Sequence, residues 1–104
     1  MASSKEYLEY ILEQLGGIEE ISFRAMMGEY ILYYKGRIFG GIYDNRFLIK
    51  PVKSALKLMP DAPRELPYDS AKEMLLIENP EDREFLMLLV NSIYNELPEP
   101  KRKK

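Results

Sequence analysis

Four short runs of strand-forming residues follow one another in the first half of the chain, and the last three runs are separated by two gaps of only two residues each. The runs are rich in Ile, Tyr and Phe, which favour strands. The two-residue breaks, Lys35-Gly36 and Asp44-Asn45, are typical of tight hairpin turns. Such turns join antiparallel neighbours, so the sequence predicts an antiparallel meander. The predicted strands are residues 21–26, 29–34, 37–43 and 46–50.

Helical patterns lie on both sides of this meander. Ser3 and Glu6 have the spacing of a capping box, and the apolar stripe that follows predicts a helix over residues 4–15. After Pro51, apolar residues recur at Val52 and three, four and seven positions later, which predicts a short helix.

The remainder predicts one more strand and one more helix. Residues 73–78 form an apolar run after a proline-rich loop and are expected to be the fifth strand. Asn79 is expected to cap a final helix that has Pro80 at its first position and ends before Pro98. The order helix, four strands, helix, strand, helix predicts an α+β fold. We expect a two-layer sandwich in which an antiparallel sheet of about five strands has helices on one face.

The chain has 104 residues and contains no His and no Cys. Thiol nucleophiles, Ser-His-Asp triads, disulfides and typical zinc sites need these residue types, so we expect no enzyme activity, no cofactor and no metal ion. The length predicts a single domain over residues 1–100, with residues 101–104 as a basic disordered tail. No apolar run approaches the ~20 residues of a membrane span, and we expect a cytoplasmic location.

The net charge of −2 hides an uneven distribution. Residues 21–57 carry seven basic and two acidic side chains, whereas the segments on both sides of them are acidic. Arg46 and Lys50 should share one face of the fourth strand, and Arg24 and Arg37 are candidates to join them across the sheet. One interpretation is an anion or nucleic-acid patch. The other is a solvated face that balances the acidic helices.

Tyrosine is abundant, with eight copies in the chain. Period-two alternation places Tyr30 and Tyr34 on one face of the second strand and Tyr33 on the other, and Tyr43 follows in the third strand. An amphipathic second face is typical of a ligand groove, a dimer interface or a contact with another domain. We favour a dimer or partner surface made by these four tyrosines over a small-molecule pocket.

The segment that begins at Arg24 resembles the N-terminal domain of the TfoX (Sxy) competence regulators. That family shows a basic residue, Met-Phe-Gly-Gly, a strand, a Gly turn, a second strand, and a later strand that ends in Lys. The matching positions here are Arg24, Met26, Gly28, Gly36 and Lys50. Met27 replaces the Phe of the motif, and Glu29 replaces its second Gly. The later loop, strand and final helix also resemble the family, so the similarity covers almost the whole chain.

The resemblance implies an α+β domain that occurs alone in many bacteria or fused to a second, helical domain in regulators of natural transformation. In the fused regulators it implies transcriptional co-activation with the cyclic-AMP receptor protein. It brings no catalytic residues. Our first hypothesis is therefore a small non-enzymatic regulatory module that contacts a protein partner or a second copy of itself. Nucleic-acid binding through residues 21–57 is the second hypothesis, and a small-ligand site is the third.

Overall fold

The computed structural model describes residues 3–98, which form three α-helices and six strands. The helices are α1 (Lys5–Gln14), α2 (Lys53–Leu58) and α3 (Arg83–Ile93), and a 3₁₀ turn (Tyr94–Glu96) follows α3. The strands are β1 (Ile21–Met26), β2 (Glu29–Tyr34), β3 (Arg37–Tyr43), β4 (Arg46–Ile49), β5 (Arg64–Glu65) and β6 (Met74–Leu76). No helix in this part of the chain has both the length and the apolar character needed to cross a membrane. The tail predicted at residues 101–104 lies outside the described residues.

The six strands form one antiparallel sheet in the order β1-β2-β3-β4-β6-β5. The predicted α+β class and the β1 to β4 meander are confirmed. Each hairpin of the meander turns through two residues that both have positive φ, as type I′ turns require. The turns are Met27-Gly28, Lys35-Gly36 and Asp44-Asn45.

The sheet has one strand more than predicted because β5 lies inside the proline-rich loop. This strand is two residues long and pairs with β6, with Arg64 opposite Leu75. Two residues are too few to show an alternating pattern, so the sequence gives no strand signal there. The strand predicted over residues 73–78 is shorter in the structure, where β6 has three residues.

Helix α1 is one residue shorter at each end than predicted, and its cap is displaced by one residue. The N-cap is Ser4, whose Oγ accepts a hydrogen bond from the Tyr7 N–H at 3.0 Å. The predicted capping residue, Ser3, instead donates from its Oγ to Glu29 Oε1 at 2.6 Å. The capping box predicted at Ser3 and Glu6 is therefore wrong, because Ser3 is held by the sheet and the next residue caps the helix.

Helix α3 begins later than predicted. Its N-cap is Asp82, whose carboxylate accepts a hydrogen bond from the Phe85 N–H at 3.2 Å. Asn79 instead starts a separate turn, because its carbonyl accepts from the Asp82 N–H at 3.1 Å. Pro80 lies in that turn and not at the first helical position. The helix continues into the 3₁₀ turn and ends before Pro98, as predicted.

One hydrophobic core lies between the helices and one face of the sheet. Its strand residues include Leu32, Phe39, Ile42, Phe47, Ile49 and Leu75, all fully buried. Its helix residues include Leu8, Ile11, Leu15, Ala55, Leu86, Leu89, Val90 and Ile93. Because all three helices pack on the same strand side chains, they cover a single face of the sheet, as predicted. We call the opposite side the outer face.

Candidate interaction surface

The strand register identifies the side chains of the outer face. Arg24 lies opposite Ile31, Ile31 opposite Gly41, and Gly41 opposite Leu48, so these residues form one row across β1 to β4. Their chain neighbours include Leu32, which points into the core. Because successive strand residues point to opposite faces, the row belongs to the outer face.

Residues 66–73, which we call the crossing segment, approach the outer face at one end of β4. Arg46 holds the start of the crossing segment against β4. Its Nη1 forms a salt bridge with Glu65 Oε1 at 2.7 Å, and its Nη2 donates a hydrogen bond to the Leu66 carbonyl at 3.0 Å. Its Nε also donates to the Tyr43 carbonyl at 3.0 Å. The Arg46 guanidinium, which the sequence analysis made a candidate for an anion patch, therefore has a structural role: it holds the crossing segment.

An apolar groove of about 470 Å³ lies between the first hairpin turn and the crossing segment. Its lining residues are Met26, Met27, Glu29, Ile31, Tyr43 and Tyr68. The Tyr43 and Tyr68 rings lie 6.2 Å apart and form one wall. Met27 stands at the opposite rim with 96% of its surface exposed, and Tyr68 is 63% exposed. The groove therefore presents large apolar side chains to solvent on a face that no helix covers.

Gly41 allows the Tyr43 ring to lie close against β3. A Cβ added at Gly41 would lie 2.6 Å from Tyr43 Cε2 and 2.7 Å from the Tyr30 carbonyl oxygen, too close for any side chain. Burial raises the pKa of the Tyr43 hydroxyl, and the neighbouring Tyr68 and Glu29 raise it further. The hydroxyl therefore stays protonated at neutral pH and provides a hydrogen-bond donor beside the groove.

A polar cluster holds the first hairpin turn in place. Ser3 Oγ donates to Glu29 Oε1 and accepts a hydrogen bond from the Asn45 N–H at 3.0 Å. The Ser3 N–H donates to the Gly28 carbonyl at 3.0 Å, and the Asp44 N–H donates to Glu29 Oε1 at 3.1 Å. The start of the chain thus connects two hairpin turns and fixes the end of the sheet that carries the groove. No local pattern could reveal these contacts, because they span 26 and 42 positions.

The four predicted interface tyrosines are divided between the two faces. Tyr33 and Tyr43 lie on the outer face and are partly exposed. Tyr34 is 5% exposed on the helix side, and its hydroxyl donates to Asn91 Oδ1 at 2.9 Å. Tyr30 also lies on the helix side, where it packs against the core. Tyr30 and Tyr34 therefore do not belong to the outer face, where Tyr68 of the crossing segment lies beside Tyr43.

The four predicted patch cations do not gather at one place. Arg37 lies on the helix side, where its guanidinium stacks 4.4 Å from the Tyr94 ring and donates to the Tyr94 and Leu97 carbonyls, at the first residue and the C-cap of the 3₁₀ turn. Arg46 holds the crossing segment, and Lys50 lines a separate recess beside that segment. Arg24 is exposed on the outer face of β1.

A β-bulge explains the position of Arg37. The β2–β3 register shifts between Leu32, opposite Gly40, and Tyr33, opposite Ile38, so β3 has one extra residue at this point. An extra residue reverses the alternation on one side of the bulge. Arg37 therefore faces the helices. Without the bulge, alternation along β3 would place it on the outer face together with Tyr43.

The residues of the family motif have identifiable structural roles. Gly28 and Gly36 occupy the second turn positions with φ of 86° and 83°, where a left-handed backbone favours glycine. Met26 lines the groove. Within residues 3–98, no group of three or more acidic side chains converges to hold a metal ion.

Comparison with known proteins gives one informative similarity. No protein-family model matches the chain, and no solved structure matches it. The chain is 30% identical over 73 residues to a protein of Spirochaeta aurantia described as an uncharacterized 12.7 kDa protein in the trpE 5′ region. The aligned part is 70% of this chain and 64% of the relative, so the chain spans just under two thirds of the relative's length.

Proposed function

We propose that this protein is a small non-enzymatic regulatory module that binds a protein partner in the outer-face groove, in the manner of a stand-alone domain resembling the TfoX N-terminal domain. The observation that carries the proposal is the position of Met27. Its φ of 52° is a left-handed conformation that type I′ turns normally give to Gly, Asn or Asp. Its side chain is 96% exposed, so it contributes no packing to the fold. A strained and exposed apolar side chain at the rim of an apolar groove is expected where a partner covers it.

The groove favours a partner segment with a large apolar side chain. Methionine side chains adapt their shape to the surface they contact, and tyrosines combine ring contact area with a hydroxyl for hydrogen bonding. Glu29 adds one carboxylate to the lining. An apolar side chain next to a Lys or Arg in the partner would complement this combination.

The regulatory part of the proposal is supported by the likeness to the TfoX motif. Gly28 and Gly36 hold the hairpin turns, and Met26 contributes to the groove. The absence of His and Cys favours binding over covalent chemistry.

A capture experiment with matched variants tests the proposal. The native protein, Met27→Asp and Leu88→Asp are immobilised and exposed to extract of the source cells. Leu88 is the control, because it is 52% exposed on α3, away from the groove. We expect a protein that binds the native chain and Leu88→Asp but is lost with Met27→Asp, since a buried carboxylate costs several kcal/mol. Equal capture by both variants, or no captured protein, contradicts the proposal.

A thermal-shift screen separates a protein partner from a small ligand. A small molecule at 100 times its Kd would stabilise the native protein by about 2.7 kcal/mol. We expect that no metabolite acts selectively on the native protein, which would mean raising its Tm while leaving the Tm of Met27→Asp unchanged. A compound with that selectivity would assign the groove to a small ligand instead.

A further inference from the structure

Strand β1 forms an open edge of the sheet. It is six residues long and pairs with β2 without a register shift. Edge strands are commonly protected from pairing by short length, by charged side chains, by proline, by bulges or by inward-pointing charges. The opposite edge strand, β5, has only two residues and lies between Pro63 and Pro67. Of these protections, strand β1 has only the charged side chain of Arg24, which lies on the outer face.

The unpaired backbone groups of β1 can be identified from the first hairpin turn. A two-residue turn makes Met26 and Glu29 a hydrogen-bonded pair, and bonded pairs then recur at every second residue. The N–H and C=O groups of Phe23 and Ala25 therefore point away from β2. Among residues 3–98, no hydrogen bond outside the helices and strands involves these two residues.

The side chains of β1 also leave apolar surface uncovered on the helix side. Phe23 is 46% exposed, although it lies on the same face as the core residue Leu32. A cleft of about 510 Å³ separates β1 from the end of α1, and Leu12 and Ile18 line it together with Phe23. A strand added to this edge would bury the Phe23 ring and extend the apolar wall of the cleft.

We propose that two copies of this chain pair through their β1 strands, antiparallel about a twofold axis at Phe23. Antiparallel pairing must match outward residues with outward residues, so the full-length symmetric registers have the axis at Phe23 or at Arg24. The second register places Arg24 directly opposite its own copy, and like charges in that position are destabilising. The first register places Arg24 opposite Ser22 of the second copy and brings the two Phe23 rings together.

The proposed dimer has a defined shape. The twofold axis is perpendicular to the sheet, so the two sheets form one continuous sheet of twelve strands. The helices of both copies lie on one side of this sheet, and both grooves lie on the other. Met26 ends β1 and also lines the groove, but Phe23, Arg24 and Ala25 do not line it. Variants at these three positions therefore test dimerisation separately from the proposed function.

Sedimentation of edge variants tests the pairing. Ala25→Pro removes an outward N–H that β2 does not use, and proline is tolerated on edge strands. Ala25→Val is the matched control, because it keeps the N–H. We expect a dimer for the native protein and for Ala25→Val. We expect Ala25→Pro to raise the dimer Kd at least about tenfold, which corresponds to about 1.4 kcal/mol. The twofold axis doubles the effect, since both copies carry the substitution and the dimer loses two equivalent hydrogen bonds.

Disulfide trapping tests the register and does not depend on how proline affects folding. The native chain has no Cys, so a single introduced thiol can pair only between copies. Phe23→Cys brings two sulfurs together at the axis, with Cα atoms about 5.5 Å apart. Arg24→Cys places them beyond bridging distance in this register, and Leu88→Cys on α3 is the surface control. We expect a covalent dimer mainly with Phe23→Cys.

Three results would overturn the proposal. The first is a native protein that sediments as a monomer at about 0.1 mM. The second is a dimer that a folded Ala25→Pro variant leaves unchanged, because another surface would then form it. The third is efficient trapping by Arg24→Cys with none by Phe23→Cys, since this result would assign the other register.

Discussion

At the scale of single residues, the three hairpin turns differ in how well their residues suit them. All three first positions have φ between 51° and 54°. Asp44 suits this conformation, because its short polar side chain tolerates the left-handed region. Met27 has no such advantage and is also exposed. Its presence at this position therefore reduces stability, and the proposed partner contact is what would offset this loss.

Replacement of Met27 tests this trade-off between stability and binding. We expect Met27→Asn to raise the free energy of unfolding by about 0.5 to 1 kcal/mol, because Asn adopts left-handed backbone at lower cost. The same change should reduce partner capture. Urea unfolding of the two proteins, followed by circular dichroism, measures the difference. A less stable Met27→Asn variant would show that the turn is not strained by the methionine.

At the scale of elements, helix α2 receives its cap from a distant part of the chain. Its N-cap residue, Val52, has no side-chain hydrogen bond to offer. The Glu96 carboxylate accepts hydrogen bonds from the Ser54 N–H at 2.8 Å and from Ser54 Oγ. These bonds lower the pKa of Glu96, and the nearby Lys53 lowers it further. The cap therefore links α2 to the 3₁₀ turn that follows α3.

The lowered pKa of Glu96 predicts a pH dependence of stability. A carboxylate whose pKa is lower in the folded state stabilises the fold fully above its ordinary value of 4.5, and the effect disappears as the pH falls through the lowered value. We expect Glu96→Gln to be less stable than the native protein at neutral pH, and the difference to shrink at an acidic pH below 4.5, where the carboxylate is protonated through its lowered pKa. Denaturant unfolding at both pH values measures it. A difference that persists at low pH would show that packing, rather than charge, accounts for the loss.

At the scale of the whole molecule, the four candidate patch cations of residues 21–57 lie at different places in the fold. Arg37 binds the end of the helical layer, and Arg46 binds the crossing segment. Arg24 and Lys50 are separated along the sheet, on β1 and at the end of β4. The positive charge that is evident along the sequence is therefore spread around the fold, and it forms a weaker field than a single patch would.

This distribution predicts weak binding to nucleic acid. Non-specific complexes of basic proteins have Kd values of roughly 10⁻⁴ to 10⁻⁶ M at physiological salt, and we expect this chain to lie at the weak end of that range or beyond it. Fluorescence anisotropy with a labelled duplex measures the affinity. Saturable binding at low micromolar protein that is lost in an Arg46→Glu, Lys50→Glu double variant would instead favour the nucleic-acid hypothesis.

The parts of the fold that follow from local sequence could be predicted well. The bounds of β1, β2 and β3 agree with the prediction because alternation and two-residue turns are encoded by adjacent residues. The start of α3 could not be located, since both Asn79 and Asp82 are good caps and only the structure shows which one the helix uses. Strand β5 was missed because its pairing with β6, rather than its own sequence, makes it a strand.

The site was predictable only in outline. An amphipathic second face was expected from the tyrosines, and Tyr33 and Tyr43 do lie there. The β3 bulge reversed the alternation that the prediction assumed for Arg37, although Gly40 is the kind of mid-strand glycine that indicates a bulge. Tyr68 could not be assigned, because its contact with Tyr43 depends on the path of the crossing segment.

The meander also determines how much chain entropy is lost when the sheet forms. Three of its five strand pairings join consecutive strands through two-residue turns. Closing so short a loop costs little chain entropy, whereas the β4–β6 pairing must close a loop that contains α2, β5 and the crossing segment. Most of the sheet therefore has low contact order, a property that accompanies rapid folding. Rapid folding thus shortens the time during which unfolded chains expose the apolar strand residues of the core to one another.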